Sequence, residues 1–374
     1  MSEQKDSDFN SGEITNRGDI DELEFEKLNS EDEDSESSPP DYEITTYPAD
    51  FTLEVLNQKW IQQEIVIPEF QRDFVWTQNQ SSKLIESFLL GLPVPSVFLY
   101  NETETNKYLV INGQQRLKSI FSYFKGIFGD YKEKNFKLTG LNENSSYFNK
   151  TFDNLDEKHK LKFKNSILRA FIIQQLNPDD DTSKFHIYER LNTGGTHLAN
   201  QEIRNCIYHG HLINELRNMN ENGNWRKILG KNAPDKRAKD IELLLRFFAM
   251  RDISKYRKPL KEYLNNFMKN NRDVSTDILQ SMKSIFEKTC DEILDKLGEK
   301  PFHIRSGLNA AVFDAVLTAF SNHLDKIPPD AKIRFNDLIR NSKFVGYTSS
   351  GTTGAESIRG RFALTSEIIF DEKA

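Results

Sequence analysis

The sequence predicts an α+β body that passes into an all-helical half, behind a tail too poor in apolar residues to fold. Three observations carry this. Between about residues 47 and 210 β-rich runs alternate with helical periodicity; from Gly210 to about Ile339 helical patterns continue with no convincing strand; and the first residues are dominated by carboxylates. At 374 residues the chain is longer than one core usually organises, at roughly 150 residues per domain. The expected division is a disordered acidic tail over 1–46, an α+β domain over 47–210 and a helical domain over 211–374.

The tail holds the run from Ser30 to Pro40, which cannot bury enough surface to offset the entropy of ordering. Order begins near Tyr47. Leu53, Val55, Leu56, Trp60 and Ile61 predict a short helix, and Ile65-Val66-Ile67 before Pro68 predicts a strand. Leu84, Ile85, Phe88 and Leu89 share a face of an amphipathic helix over 79–90, stopped by Gly91 and Pro93. Ser96–Tyr100 and Tyr108–Ile111 then read as a hairpin, and the second strand runs directly into Asn112-Gly113. Leu117, Ile120, Phe121 and Phe124 continue at helical spacing to Gly126, so the local order is strand, glycine turn, helix. Residues 127–165 show no clear period, Ile167–Gln174 predicts a central strand, and helices are expected over Ser183–Leu191 and from about Ala199 to Tyr208. Beyond Gly210 the helical patterns include Ile241–Met250, Val274–Leu297 and Leu308–Leu324.

Hydrophobic residues make up 37% of the chain, and 27 Phe against 5 Met predict a bulky core. Cys206 and Cys290 are the two cysteines, which excludes a disulfide framework or a paired-ligand zinc site and suits a reducing compartment. No basic segment leading into an apolar run opens the sequence and no eighteen apolar residues run together, so a cytoplasmic protein with no membrane contact is expected. Residues 1–50 carry 17 Asp or Glu and 3 Lys or Arg, a net of −14; the chain total is −7, so residues 51–374 carry +7. The pI hides a mildly basic body able to face an anionic partner.

Asn112, Gly113, Gln114, Gln115 and Arg116 open a helix at the end of a strand, where first-turn N–H groups and the positive end of the dipole converge. Gly113 permits close approach of an anion and Arg116 can clamp two oxygens, which makes this a candidate nucleotide-phosphate or DNA-phosphate site. The alternative is an ordinary βα turn whose Arg pairs with a carboxylate. Gln71 and Arg72 form a second polar cluster beside Phe70, Phe74 and Trp76; Arg72 can contact phosphate, while Trp76 reads better as a packing residue. A third lies in Arg190 and Asn192 at the end of one helix, and Gln201, Glu202 and Arg204 at the start of the next. Glu202 can accept a proton or pair with an arginine. His186 shares a helical face with Arg190. Cys206 reads as packed, and His209 and His211 as a solvated helix end.

Taken in order, IPEFQRDFVW at 67–76, GLPVPSVFL at 91–99, INGQQRLKSI at 111–120 and ERLNTGGTHLANQEIR at 189–204 resemble the N-terminal domain family of GmrSD-type restriction endonucleases. The resemblance implies a ParB/sulfiredoxin-like fold over roughly residues 50–210, a DGQQR-type loop in the nucleotide-phosphate site, and a restriction or phage-defence role combining NTP hydrolysis with DNA cleavage. On that basis Gln71, Arg72, Gln115, Arg116 and Arg190 are the expected catalytic residues, and Asn112–Arg116, Asn192 and Arg204 the expected phosphate-binding ones. A nucleoside triphosphate is the expected cofactor, with magnesium as its accompanying ion, although no ligand pattern singles out a metal site. DNA is the expected partner, together with a separate nuclease or defence protein. The sequence departs from the family in two respects. Asn112 stands where the family's loop usually opens with Asp, and an amide cannot act as a carboxylate base or strong magnesium ligand. His303 and His323 form no His-Asn-His arrangement, so an HNH nuclease is not expected here. A different class of function, a non-catalytic nucleotide or DNA sensor that recruits an effector through its helical half, is the alternative that Asn112 favours.

Overall fold

The computed structural model describes residues 43–67, 74–102, 105–129, 135–176, 182–191 and 199–372. Residues 1–42 of the acidic tail and the candidate residues Gln71, Arg72 and Asn192 lie outside them, while residues 44–46, expected in the tail, belong to a strand. The chain divides into two compact units between Ile213 and Asn214.

In the first unit, among the described residues, five strands form one mixed sheet: β1 (Ile44–Thr52), β2 (Ile65–Val66), β3 (Val97–Glu102), β4 (Lys107–Asn112) and β5 (Ile167–Gln175). Their order is β1-β5-β3-β4-β2. β3 pairs antiparallel with β4, as the expected hairpin requires, and parallel with β5; β2 runs parallel to β4, and β1 antiparallel to β5. It follows that β2 and β4 end where β3 begins, so the chain leaves β2 and β4 and enters β3 at one end of the sheet.

Side chains alternate across the pleat. Val97, Leu99, Val110, Leu168, Ala170 and Ile172 pack with α1 (Leu53–Ile61), α2 (Gln78–Leu90), α3 (Gln114–Lys125) and α4 (Glu157–Asn165) in one core. Tyr100, Ile111 and Ile173 on the other face pack with α5 (Thr182–Leu191) and α6 (Asn200–Ile207) through Phe185, Ile187, Tyr188 and Ile203. The unit is thus three layers, helix, sheet, helix. Local chemistry sets the helix ends. Thr77 and Gln80 close a capping box on α2, which stops at Gly91 with φ 81°, and Thr52 accepts from the Val55 N–H to start α1.

Two elements correct the sequence reading. β1 was not expected, because ITTYPADFT is polar and holds Pro48, which cannot donate to a ladder; the strand survives on the sheet edge, where pairing with β5 supplies what its own sequence lacks. α4 falls in the stretch read as lacking period. Asp156 caps it by accepting from His159 N at 2.8 Å, and Phe163 is its one buried residue, so no apolar stripe marks it.

The second unit carries α7 (His211–Asn220), whose first residues belong to the first unit, then α8 (Gly223–Leu229), α9 (Lys239–Ala249), α10 (Leu260–Asn271), α11 (Thr276–Leu297), α12 (Ala310–Asn322), α13 (Ala331–Arg340), α14 (Ser342–Ser349) and α15 (Ala355–Phe370). No strand occurs there among the described residues, as the periodicity led one to expect. α12 is buried from Ala310 to Ser321, the mark of a helix at the centre of a bundle. Asp314 on α12 accepts from Arg246 Nη2 on α9 at 2.6 Å and Arg361 Nη2 on α15 at 3.3 Å, all three side chains buried. Burial pushes the Arg361 guanidinium down to about 10, with Asp314 opposing the fall, so it remains charged at neutral pH. Cys290 is buried on α11, and burial raises its thiol well above the usual range, which suits a packing role. No helix among the described residues is long and apolar enough to cross a membrane.

Candidate functional site

β4 ends at Asn112 and α3 starts at Gln114, so the turn between them rests on Gly113 alone. Gly113 adopts φ 102°, and a Cβ there would lie 2.4 Å from Val97 Cγ1 and 2.9 Å from Val97 Cβ. Both the left-handed backbone and the close approach of β3 therefore demand glycine. The positive end of α3 faces the end of the sheet where β2 and β4 leave and β3 enters.

Three side chains knit this end together. Arg116 donates from Nη1 to the carbonyls of Pro95 at 2.6 Å and Ser96 at 2.9 Å, and from Nη2 to Asn112 Oδ1 at 3.2 Å. It thereby fastens the start of β3 to the end of β4. Burial lowers the Arg116 pKa below the usual arginine range. Gln115 Oε1 accepts from the backbone N–H groups of Val75 at 3.0 Å and Trp76 at 3.2 Å. Gln115 thus ties Val75 and Trp76, just before α2, to the first turn of α3. Ser119 Oγ lies 2.7 Å from Gln115 O and 2.9 Å from Ser81 Oγ, joining α3 to α2. Phe74 and Trp76 pack against the first core, the packing role the sequence assigned to Trp76.

The structure thus brings the described residues of three of the four motifs to one end of the sheet and gives Asn112, Gln115 and Arg116 direct partners. Asn112 Oδ1 accepts from Arg116, so the guanidinium meets a neutral oxygen at this position.

The fourth motif lies on the opposite layer. Arg190 is exposed near the end of α5, and His186 Nδ1, one turn earlier, is 3.3 Å from Glu189 Oε2. Glu202 Oε2 accepts from Ala199 N at 2.6 Å and so caps α6. Arg204 is completely buried, donates to Gln201 Oε1 at 3.1 Å and lies over the Phe185 ring at 5.9 Å, which pins α6 to α5. Gln201 in turn donates to Asn205 Oδ1 at 2.9 Å.

One feature beside the turn had no role in the sequence reading. Asn57, Trp60, Ile61, Phe74, Lys118, Phe121, Ser122, Phe124, Lys125 and Gly129 line a groove of about 310 Å³ between α1 and α3. Lys118 lies four residues after Gln114, one helical turn, and that spacing was the available signal.

Fold and site together define a three-layer α/β domain organised around one glycine turn that collects polar motifs at one end of its sheet. Residues 52–209 match the family model described as GmrSD restriction endonuclease, N-terminal domain, and this segment is a domain of that family. A curated relative, an uncharacterized protein (MJ0686) of Methanocaldococcus jannaschii, is 30% identical over 89 residues, which cover 18% of this chain and 15% of that protein. The similarity spans a small part of either sequence.

Proposed function

We propose that the protein is a nucleotide-dependent DNA-processing enzyme of a restriction or phage-defence system, with the phosphates of a nucleoside triphosphate held at the Asn112–Arg116 turn. The observation that carries this reading is the left-handed Gly113 opening α3 at the end of the sheet where the chain also leaves β2 toward Gln71 and Arg72. That arrangement aims the positive end of the α3 dipole at the end of the sheet where β2 and β4 leave. In this reading Gly113, Gln114 and Gln115 orient the phosphates, Arg72 and Arg190 oppose charge developing at phosphorus, Gln71 orients substrate and Asn192 completes the binding set; Arg204, expected to bind phosphate, is instead buried and holds α6 to α5. Magnesium accompanies the nucleotide, DNA is the substrate, a separate nuclease or defence protein is the partner, and the protein acts in the cytoplasm on a ParB/sulfiredoxin-like scaffold.

The test is phosphate release from ATP, GTP, CTP and UTP with magnesium, with and without DNA, by the parent and by Arg72→Ala and Arg190→Ala. Turnover that disappears in variants melting at the parent's temperature is the expected result. No release from any nucleotide overturns hydrolysis. A second reading, a nucleotide or DNA sensor that recruits an effector through the helical unit, is favoured by Arg116, whose Nη donors turn to protein oxygens. Nucleotide binding without turnover in the parent, and turnover in Asn112→Asp, is the pattern that reading expects.

A further inference from the structure

The groove between α1 and α3 has the size and lining of a nucleobase site. Its volume of about 310 Å³ falls at the lower end of small-molecule sites, which run from roughly 300 to 1,000 Å³. One wall is an aromatic stack, Trp60 on Phe121 with centroids 5.0 Å apart and planes at 11°. Phe74 and Phe124 add further ring surface. Lys118 and Lys125 are on the lining, and among the described residues neither has a carboxylate or hydrogen-bond partner. Aromatic faces beside unpaired cations are what a base attached to a phosphate requires: stacking is indifferent to base identity, and the cations answer the phosphate.

The groove is built into the glycine turn. Lys118 follows Gln114 by one turn of α3, and Phe74 directly precedes the Val75 and Trp76 N–H groups that Gln115 holds. A ligand whose phosphates lie at the turn therefore finds an aromatic slot within the same helix.

We infer that this groove is the base-binding subsite of the protein, taking the nucleobase of a nucleoside phosphate against Trp60 with Lys118 toward its phosphates and Lys125 at the far end of the slot. The inference rests on the phosphate-site reading above and extends it to the rest of the ligand. Two sources share this chemistry, a free nucleotide and a base everted from DNA.

The experiment titrates three probes: inorganic triphosphate, ATP carrying a fluorescent adenine analogue, and a short duplex with that analogue at a mismatch. The proteins are the parent, Trp60→Leu, Ser122→Phe, which fills the groove without removing a core side chain, and Gln114→Ala at the turn. Trp60→Leu and Ser122→Phe are expected to weaken the base-containing probe roughly tenfold while leaving inorganic triphosphate unchanged, whereas Gln114→Ala weakens both. Loss confined to ATP identifies a free nucleotide as the source, and loss confined to the duplex identifies an everted base. Parent-like binding of both base-containing probes by a folded Ser122→Phe protein overturns the groove and leaves the phosphate reading standing. A parent that binds none of the three overturns both.

Discussion

In the sheet-bearing unit Arg116 sits half-buried and gives its Nη donors to the carbonyls of Pro95 and Ser96 and the side-chain oxygen of Asn112, whereas in the helical unit Arg246 and Arg361 are buried together against Asp314, with Glu242 a second carboxylate 3.6 Å from Arg246. The same side chain thus does different work in the two units. Among the described residues Arg116 meets neutral oxygens only, so its charge is not cancelled by them and the glycine turn retains a field toward an anion. A guanidinium bound to a buried carboxylate has its charge cancelled where it sits, and what the pair contributes is a demand that α9, α12 and α15 meet in one arrangement. The first disposition suits a site, the second a scaffold.

The largest expected effect breaks the scaffold side of this comparison. Asp314→Asn removes the carboxylate that the buried Arg246 and Arg361 share, leaving Arg246 only Glu242, and should cost about 3–5 kcal/mol in urea unfolding; a loss no greater than that of Arg116→Ala would erase the distinction between the units. Next, Gly113→Ala meets both a left-handed backbone and the Val97 side chain, for a cost of about 2–4 kcal/mol. Pairing it with Val97→Ala should recover the steric part and leave the backbone part, which a double-mutant cycle separates.

Arg116→Ala removes charged donors from three oxygens, for about 1.5–3 kcal/mol, and should abolish nucleotide binding at the same time. Asn112→Asp replaces a neutral acceptor by a charged one and should raise thermal stability, the opposite sign at the same contact. The smallest effect lies on the sheet surface, where Arg169 on β5 bonds Asp50 on β1 at 2.7 Å. The hydrogen bond from Arg169 lowers the Asp50 pKa from its ordinary 3.8, with desolvation opposing it. A depressed carboxylate contributes stability above its unfolded value and loses it as pH falls through the folded one, so the Arg169→Leu difference should fade below pH 3.8. Both groups are exposed, so salt should also screen it.

Where a segment's own residues suffice, the sequence was readable. The β3–β4 hairpin, the amphipathic face of α2, the strand-glycine-helix order at 112–116 and the helical character beyond Gly210 follow from periodicity and stop signals, because these interactions run between near neighbours. The edge strand β1 and the polar helix α4 did not show, since β1 depends on β5, more than a hundred residues away, and α4 buries one side chain.

The candidate site divides in the same way. That Asn112–Arg116 forms a polar glycine turn was determined by the sequence itself, because only glycine accepts φ 102° there and a helix must start after it. What the turn's side chains hold was decided by tertiary structure alone. Arg116 reaches carbonyls 21 and 20 residues back and Gln115 reaches amides 40 and 39 residues back, and an arginine or glutamine carries no mark of which distant oxygen or N–H it will meet. The groove beside Trp60 was likewise decided by tertiary structure, because its walls come from α1, α3 and the chain before α2, which only the packed sheet brings together.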